Sequence, residues 1–140
     1  MLAVADTNHL SEIDRSAVFA ARFDARRRAS GFEIFTSIIT IQEMAKGWLA
    51  LLNRPVRARE QVSGYARFQR GVEALRAWDI LAFDEEAATV FEVLLRRRLR
   101  VGTMDLKIAS ICLAHDATLL TRNVTDFATV PGLRVENWLD

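Results

Sequence analysis

Short apolar runs alternate along this chain with longer stretches of helical spacing. Residues 2–5 are all apolar and end at Asp6, leaving no room for an amphipathic helix, so they predict a buried strand. Residues 16–28 are helical in pattern. Ala17, Val18, Ala20, Ala21 and Phe23 supply an apolar side, Arg22, Arg26, Arg27 and Arg28 a basic end, and Ser30-Gly31 a stop. Residues 33–37 are rich in β-formers and predict a second strand. Residues 40–52 predict a helix, with Ile41, Met44, Ala45, Trp48, Leu51 and Leu52 near helical spacing, broken by Asn53-Arg54-Pro55. Over residues 57–77, Val62, Tyr65, Phe68, Val72 and Leu75 recur every three or four positions and predict one long amphipathic helix or two.

Residues 80–83 predict a third strand. Asp84 then suits an N-cap for a helix reaching residue 100, with Glu85 and Glu86 at its positive end and Arg96, Arg97, Arg98 and Arg100 at its negative end. Gly102-Thr103 leads into a nearly all-apolar helix over residues 104–115. Residues 118–121 predict a fourth strand, 123–127 a loop or short helical turn, and 133–135 a final edge strand after the Pro131-Gly132 turn. Strands alternating with helices imply a parallel sheet covered on both faces. The expected architecture is one α/β domain over residues 1–140, a short parallel sheet sandwiched between helices.

Composition narrows the class. At 140 residues and 51% hydrophobic, with 6 Gly and 2 Pro, the chain has enough apolar material for a substantial core and is neither disordered nor low-complexity. One Cys excludes a disulfide framework and suits a reducing cytoplasm. No apolar run approaches the ~18 residues of a membrane span. Asp6 interrupts the first apolar run too early for a signal peptide. No glycine-rich phosphate loop and no zinc-type Cys/His spacing is present. The net charge of +1 conceals an uneven layout, because acids follow the predicted strands and arginines cluster on helices.

In an open parallel sheet, functional groups gather beyond the carboxyl ends of the strands. Asp6 follows the first strand directly. Glu43 lies one turn into the helix after the second strand, Asp105 in the first turn of the apolar helix, and Asn123 and Asp126 after the fourth strand. Three or four carboxylates on one rim raise each other's pKa unless a cation neutralises them, and an all-oxygen set favours Mg²⁺ or Mn²⁺. Each acid also has an ordinary reading. Glu43 completes a capping box from Thr40, Asp105 complements a helix dipole, Asp126 can cap a turn, and Asp6 can open a helix. Taken singly the ordinary readings are favoured. Taken together they are less so, because Asp105 tips an otherwise buried element.

These residues resemble the PIN-domain family, and within it the VapC-type toxins of bacterial toxin–antitoxin systems. Asp6-Thr7-Asn8 is similar to the family's opening motif, and Thr40-Ile41-Gln42-Glu43-Met44 to its Thr-x-x-Glu-hydrophobic helix start. Gly102-Thr103-Met104-Asp105-Leu106-Lys107-Ile108-Ala109 and Thr121-Arg122-Asn123-Val124-Thr125-Asp126-Phe127 are similar to its later segments. The stretch from Val130-Pro131-Gly132 to Trp138 is similar to its closing strand and tail. Residues 53–77 carry no motif and stand where the family varies.

The resemblance implies an endoribonuclease dependent on Mg²⁺, with Mn²⁺ as the alternative ion. Asp6, Asp105 and Asp126 would hold the ion, with Glu43 as ligand or water-positioning base and Thr7, Asn8, Thr121 and Asn123 in support. Asn123 stands where many relatives have Asp, so Asn123 and Asp126 compete for the fourth position. The implied partners are a cognate antitoxin, an RNA substrate with tRNA first, and a second copy of the chain. The antitoxin is expected to lay an amphipathic segment into a groove, with a basic residue reaching the acids. Two alternatives share the sequence: a metal-dependent nuclease of RNA or DNA processing, and a catalytically inactive PIN-like binding module. A His9–His115 acid–base pair ranks below metal chemistry, although His9 sits near the site. Cys112 reads as a buried small hydrophobe. The two arginine clusters, Arg22–Arg28 and Arg96–Arg100, are divided evenly between helix-end complementarity and RNA contact.

Overall fold

The computed structural model describes residues 1–140. Five strands, β1 (Leu2–Ala5), β2 (Glu33–Ser37), β3 (Asp79–Leu81), β4 (Thr118–Leu120) and β5 (Val135–Glu136), form one sheet in the order β3-β2-β1-β4-β5. Every pairing is parallel. Seven helices connect and cover it: α1 (Thr7–Arg15), α2 (Ala17–Ser30), α3 (Ile38–Leu52), α4 (Gln61–Ala74), α5 (Glu85–Arg96), α6 (Thr103–Ala114) and α7 (Val124–Phe127).

The alternation of side chains along the central strands divides the core in two. Val4 and Leu119 point into a cluster with Leu94, Leu106, Ile108, Ile111, Cys112 and Phe127, which seats α5, α6 and α7 on one face. Ala3 and Leu120 point the other way, to Phe23, Trp138 and Leu139, with Ile13 and Phe19 of α1 and α2 packed against them. The arrangement is the expected sheet between helical layers. Lys107 is half-buried within the first cluster's margin, its ammonium 5.9 Å from the Phe83 ring centre and 5.7 Å from that of Phe91.

The structure differs from the expected elements in three places. Helix α1 occupies residues 7–15, where the sequence offers only Asp6 as a possible helix opening. Its cap is Asp6, whose carboxylate accepts from the Thr7 N–H at 2.7 Å. The capping box at Thr40 does not form. Helix α3 starts at Ile38, and Ser37 caps it by accepting from the Thr40 N–H at 3.2 Å. Helix α5 ends at Arg96, four residues short of the expected end at residue 100, and Arg98 takes the left-handed conformation with φ 51°. Residues 57–77 form one α-helix flanked by short 3-10 turns at Ala58–Glu60 and Leu75–Ala77.

Helix α4 lies close to α3 because glycines face it. Gly64 and Gly71, two turns apart, put bare backbone under the Leu52 and Trp48 side chains, and Trp48 also packs on Phe68 with ring centres 5.6 Å apart. A Cβ at Gly71 would run into the Trp48 indole. Gly71→Val should therefore cost about 1–3 kcal/mol through overpacking, read as a lower urea midpoint with an unchanged slope.

Candidate metal centre

Parallel pairing puts the carboxyl ends of all strands on one rim, and the predicted acids meet there. Asp6 leaves β1 with its N–H still in the ladder, donating to the Leu120 carbonyl at 2.9 Å. Its side chain is buried. One oxygen accepts from the Thr7 N–H, the other from the Thr121 hydroxyl at 2.9 Å. Glu43, half-buried on α3, accepts from the Thr7 hydroxyl at 3.0 Å. Thr7 therefore ties the first strand's end to α3, and its neighbour Asn8 ties α1 to the turn after β4. Asn8 donates to the Thr121 hydroxyl at 3.0 Å and accepts from the Arg122 N–H at 3.2 Å.

Asp105 lies half-buried in the first turn of α6, and Asp126 is exposed on α7. Electrostatics shows that the four share one space. Burial raises the pKa of Asp6, and Glu43 raises it further, against the hydrogen bonds that lower it. Burial also raises Glu43, assisted by the charge of Asp105. Asp105 is raised by burial, then by Asp6 and Asp126. Of the two rivals after β4, Asp126 is therefore the one whose charge reaches Asp105. Asn123 is exposed and acts through its backbone, its N–H donating to the Thr121 hydroxyl at 3.1 Å and its carbonyl accepting from the Asp126 and Phe127 N–H groups.

The donor set fits a hard divalent cation. All four groups offer oxygen, and Asp6, Glu43 and Asp105 have pKa values raised first by burial and then by neighbouring negative charge. No group of three His, Cys, Asp or Glu side chains is placed to hold a metal ion together, so the fit rests on the chemistry of the oxygen donors.

His9 is excluded from the chemistry by its surroundings. It is fully buried, its Nε2 accepts from the Trp138 N–H at 3.3 Å, and its Nδ1 lies 2.9 Å from the Asn8 side-chain oxygen. With Nε2 accepting, Nδ1 carries the proton and donates to Asn8. Burial pushes the His9 pKa down to about 4, and the charge of Arg122 adds to this, against the opposing pull of Asp140. A ring neutral in the folded state and near 6.5 when unfolded binds fewer protons folded than unfolded. Its contribution is complete above pH 6.5 and is lost as pH falls towards 4. Lowering the pH from 7 to 5 should therefore cost about 2 kcal/mol. Urea titrations of the parent and of His9→Gln should show that slope in the first and not in the second.

The sequence reading overlooked what the tail does to this rim. The Arg122 guanidinium grips the Asp140 carboxylate with two bonds of 3.0 Å and lies 5.0 Å from the Phe19 ring centre. Arg22 donates to the Leu139 carbonyl at 2.8 Å. These contacts fix the turn that carries Thr121 and Asn123. Arg122 is the residue between two candidate site residues, but nothing in the sequence pairs it with Asp140. The arginines on α2 are not at the site. Arg27 and Arg28 pair with Asp24 on their own helix at 2.7 and 2.9 Å, and Arg27 borders a hollow with Glu33 and Asp79 at the opposite rim. Cys112 is buried and its thiol pKa is pushed up by burial, as expected of a small hydrophobe.

Known proteins share this fold. A profile of the PIN domain matches residues 3–133. Ribonuclease VapC2 of Rickettsia felis is 44% identical over 43 residues, 31% of this chain and 32% of that protein. Ribonuclease VapC1 of the same organism is 40% identical over 48 residues, 34% of this chain and 36% of that protein. The chain thus aligns with about a third of the length of either relative. Among solved structures, VapBC2 from Rickettsia felis bound to a promoter DNA fragment superposes with a TM-score of 0.72 at 24% identity, covering 99% of both chains. A toxin–antitoxin complex from Klebsiella pneumoniae gives 0.65 at 25% identity, covering 96% of both. FitAcB from Neisseria gonorrhoeae gives 0.72 at 21% identity, covering 97% of both.

Proposed function

The chain belongs to the PIN-domain family, and on that premise we propose that it is a divalent-metal-dependent endoribonuclease, the VapC-type toxin of a type II toxin–antitoxin pair. The observation that carries this reading is the gathering of Asp6, Glu43 and Asp105 at one rim of the sheet, where burial and one another's charge disfavour their ionised forms and Asp126 adds to the charge on Asp105. The relatives called ribonuclease VapC and the neighbours solved as toxin–antitoxin complexes support it.

Asp6, Asp105 and Asp126 would hold Mg²⁺, or Mn²⁺, with Glu43 beside them. When bound, the cation supplies Lewis-acid polarisation of the scissile phosphate and offsets the repulsion between the acids and a polyanion. Asp6 is a fixed oxygen donor, because the Thr7 N–H and the Thr121 hydroxyl hold both of its oxygens. Glu43, oriented by the Thr7 hydroxyl and raised in proton affinity, accepts the proton of the attacking water. Attack in line on phosphorus leaves a 5′-phosphate and a 3′-hydroxyl. No Ser, Cys or His nucleophile is needed, and His9 and Cys112 are sealed in the core.

We assign RNA as substrate, with tRNA first, and a co-encoded antitoxin as partner acting in the cytoplasm. No helix is long and apolar enough to cross a membrane. A second copy of the chain suits the outer flank of α4, where Val62, Tyr65 and Val72 are exposed at helical spacing. The test is to incubate the purified protein with total RNA, with Mg²⁺, with Mn²⁺ or with a chelator, and to sequence the cut ends. Metal-dependent cuts bearing 5′-phosphates are expected, and uncut RNA in every arm overturns the reading. Mg²⁺ at a hundredfold its Kd should also stabilise the fold by about 2.7 kcal/mol, visible as a thermal shift that Asp105→Asn abolishes.

A further inference from the structure

Beside the acidic rim lies a groove whose positive charge the protein itself leaves unpaired. Two adjoining depressions, of about 400 and 450 Å³, run between α1, α3 and α4 and share Ser11, Met44, Trp48 and Arg67. The first opens at one end on Thr7 and Glu43 of the rim and carries Arg54. The second continues outward past Arg70. Arg15, which also lines the second depression, pairs with Glu12, and ion pairs elsewhere engage Arg27, Arg28, Arg122 and Arg134, but none engages Arg54, Arg67 or Arg70. All three are exposed.

Helix α4 sorts its residues by flank. Gly64, Phe68 and Gly71 face α3, whereas Arg67 and Arg70 project along one side, with Cβ atoms about 5–6 Å apart at the spacing of i and i+3. Trp48, pinned on Gly71, gives the groove an apolar floor. An anionic strand reaching the carboxylates is repelled by them unless positive charge holds it on the approach. Asp14 is the one acid in the outer depression, so the approach is net positive. A protein segment would have to change sign along its length, acidic at the arginines and basic at Glu43.

Resting on the ribonuclease reading, we propose that this groove holds the RNA strand on one side of the scissile phosphate, with Arg54, Arg67 and Arg70 on its phosphates and Trp48 beneath it. The otherwise motif-free segment 53–77 thereby becomes the substrate-holding element. Arginine suits the task because its planar fork binds phosphate oxygens in pairs.

The experiment uses full-length protein carrying Asp105→Asn, so that RNA is bound but not cut. A short fluorescent single-stranded RNA is titrated in salt from 50 to 200 mM. Each lost phosphate contact lowers the slope of log affinity against log salt by about 0.7 for a single strand. Adding Arg54→Gln, Arg67→Gln and Arg70→Gln should therefore reduce the slope by about 2 and weaken binding at least tenfold at the lower salt. Arg27→Gln with Arg28→Gln, at the opposite rim, should change neither. In the active protein the triple variant should raise KM far more than it lowers kcat. Unchanged affinity and slope in the triple variant overturn the groove while leaving the nuclease reading intact. A parent protein that neither binds nor cuts RNA overturns both. Retained RNA binding with lost affinity for the co-encoded antitoxin assigns the groove to a protein and overturns the proposal.

Discussion

Asp105→Asn is expected to abolish metal-dependent RNA cleavage and, in the absence of metal, to raise the melting temperature. Metal-assisted charge stabilisation at a transition state is worth several kcal/mol. Removing one charged ligand of a partly filled coordination shell therefore lowers kcat by about two to three orders of magnitude. The stability change has the opposite sign. Burial, Asp6 and Asp126 all disfavour the ionised form of Asp105. A group whose folded pKa is raised contributes fully below its unfolded pKa, and that contribution is lost as pH rises through the folded value. At neutral pH the parent carries the penalty and the Asn variant does not. The variant's advantage should shrink as the pH falls through the raised folded value and vanish only below the ordinary carboxylate pKa near 4, where Asp105 is protonated in both states. Mg²⁺ should reverse the order, stabilising the parent and leaving the variant where it was. Cleavage assays beside melting curves at pH 7 and pH 4.5, with and without Mg²⁺, check all three. A variant that cuts RNA at the parental rate removes Asp105 from the mechanism.

Trp138→Ala is expected to be the most destabilising single truncation outside the site, at about 3–5 kcal/mol. Trp138 is 2% exposed. Its ring lies 5.5 Å from Phe23 and is stacked 6.0 Å from Phe32, and its indole N–H donates to Glu136 at 3.2 Å. The second core cluster has few other buried members, namely Ala3, Phe23, Leu120 and Leu139, so little can collapse into the space left behind. The same residue's backbone N–H satisfies His9, which orients Asn8 and through it Thr121. The loss should therefore reach activity as well. Nuclease activity at a temperature where the variant remains folded should fall, because Asp6 depends on the Thr121 hydroxyl. Parental stability in urea would show that the tail contributes nothing to the core.

The legible part of the sequence was the part governed by local rules. The apolar runs at residues 2–5 and 118–121 were readable as strands because both lie at the centre of the sheet, covered on both faces. Asp6, Glu43, Asp105 and Asp126 were readable as a group because topology places strand ends together, whatever the details of each turn. Helix α1 escaped because Asp6 does two things at once. It caps the helix with one oxygen and faces the acid group with the rest of its charge, and the motif reading absorbed the capping signal. The register of α3 escaped because Ser37 and Thr40 are both competent caps, and only the end of β2 decides between them. The basic groove was hidden by the same logic in reverse. Arg54, Arg67 and Arg70 are scattered in sequence among polar residues, whereas the conspicuous arginine run on α2 lies away from the rim of acids, with Arg27 and Arg28 paired to Asp24.

The placement of β1 between β2 and β4 has a consequence in time. Asp6 and the Thr121 hydroxyl that fixes it are 115 residues apart. At about 5–20 residues per second on the ribosome, the first waits roughly 6–23 s for the second. Until β4 arrives, β1 has one neighbour, Asp6 lacks its longest-range donor, and Asp126 does not yet exist. On the proposed metal-nuclease reading, competence is expected to come as a single event once β4 and α7 are in place, rather than growing with the chain. A polypeptide interrupted before α7 lacks Asp126 and is expected to be inert.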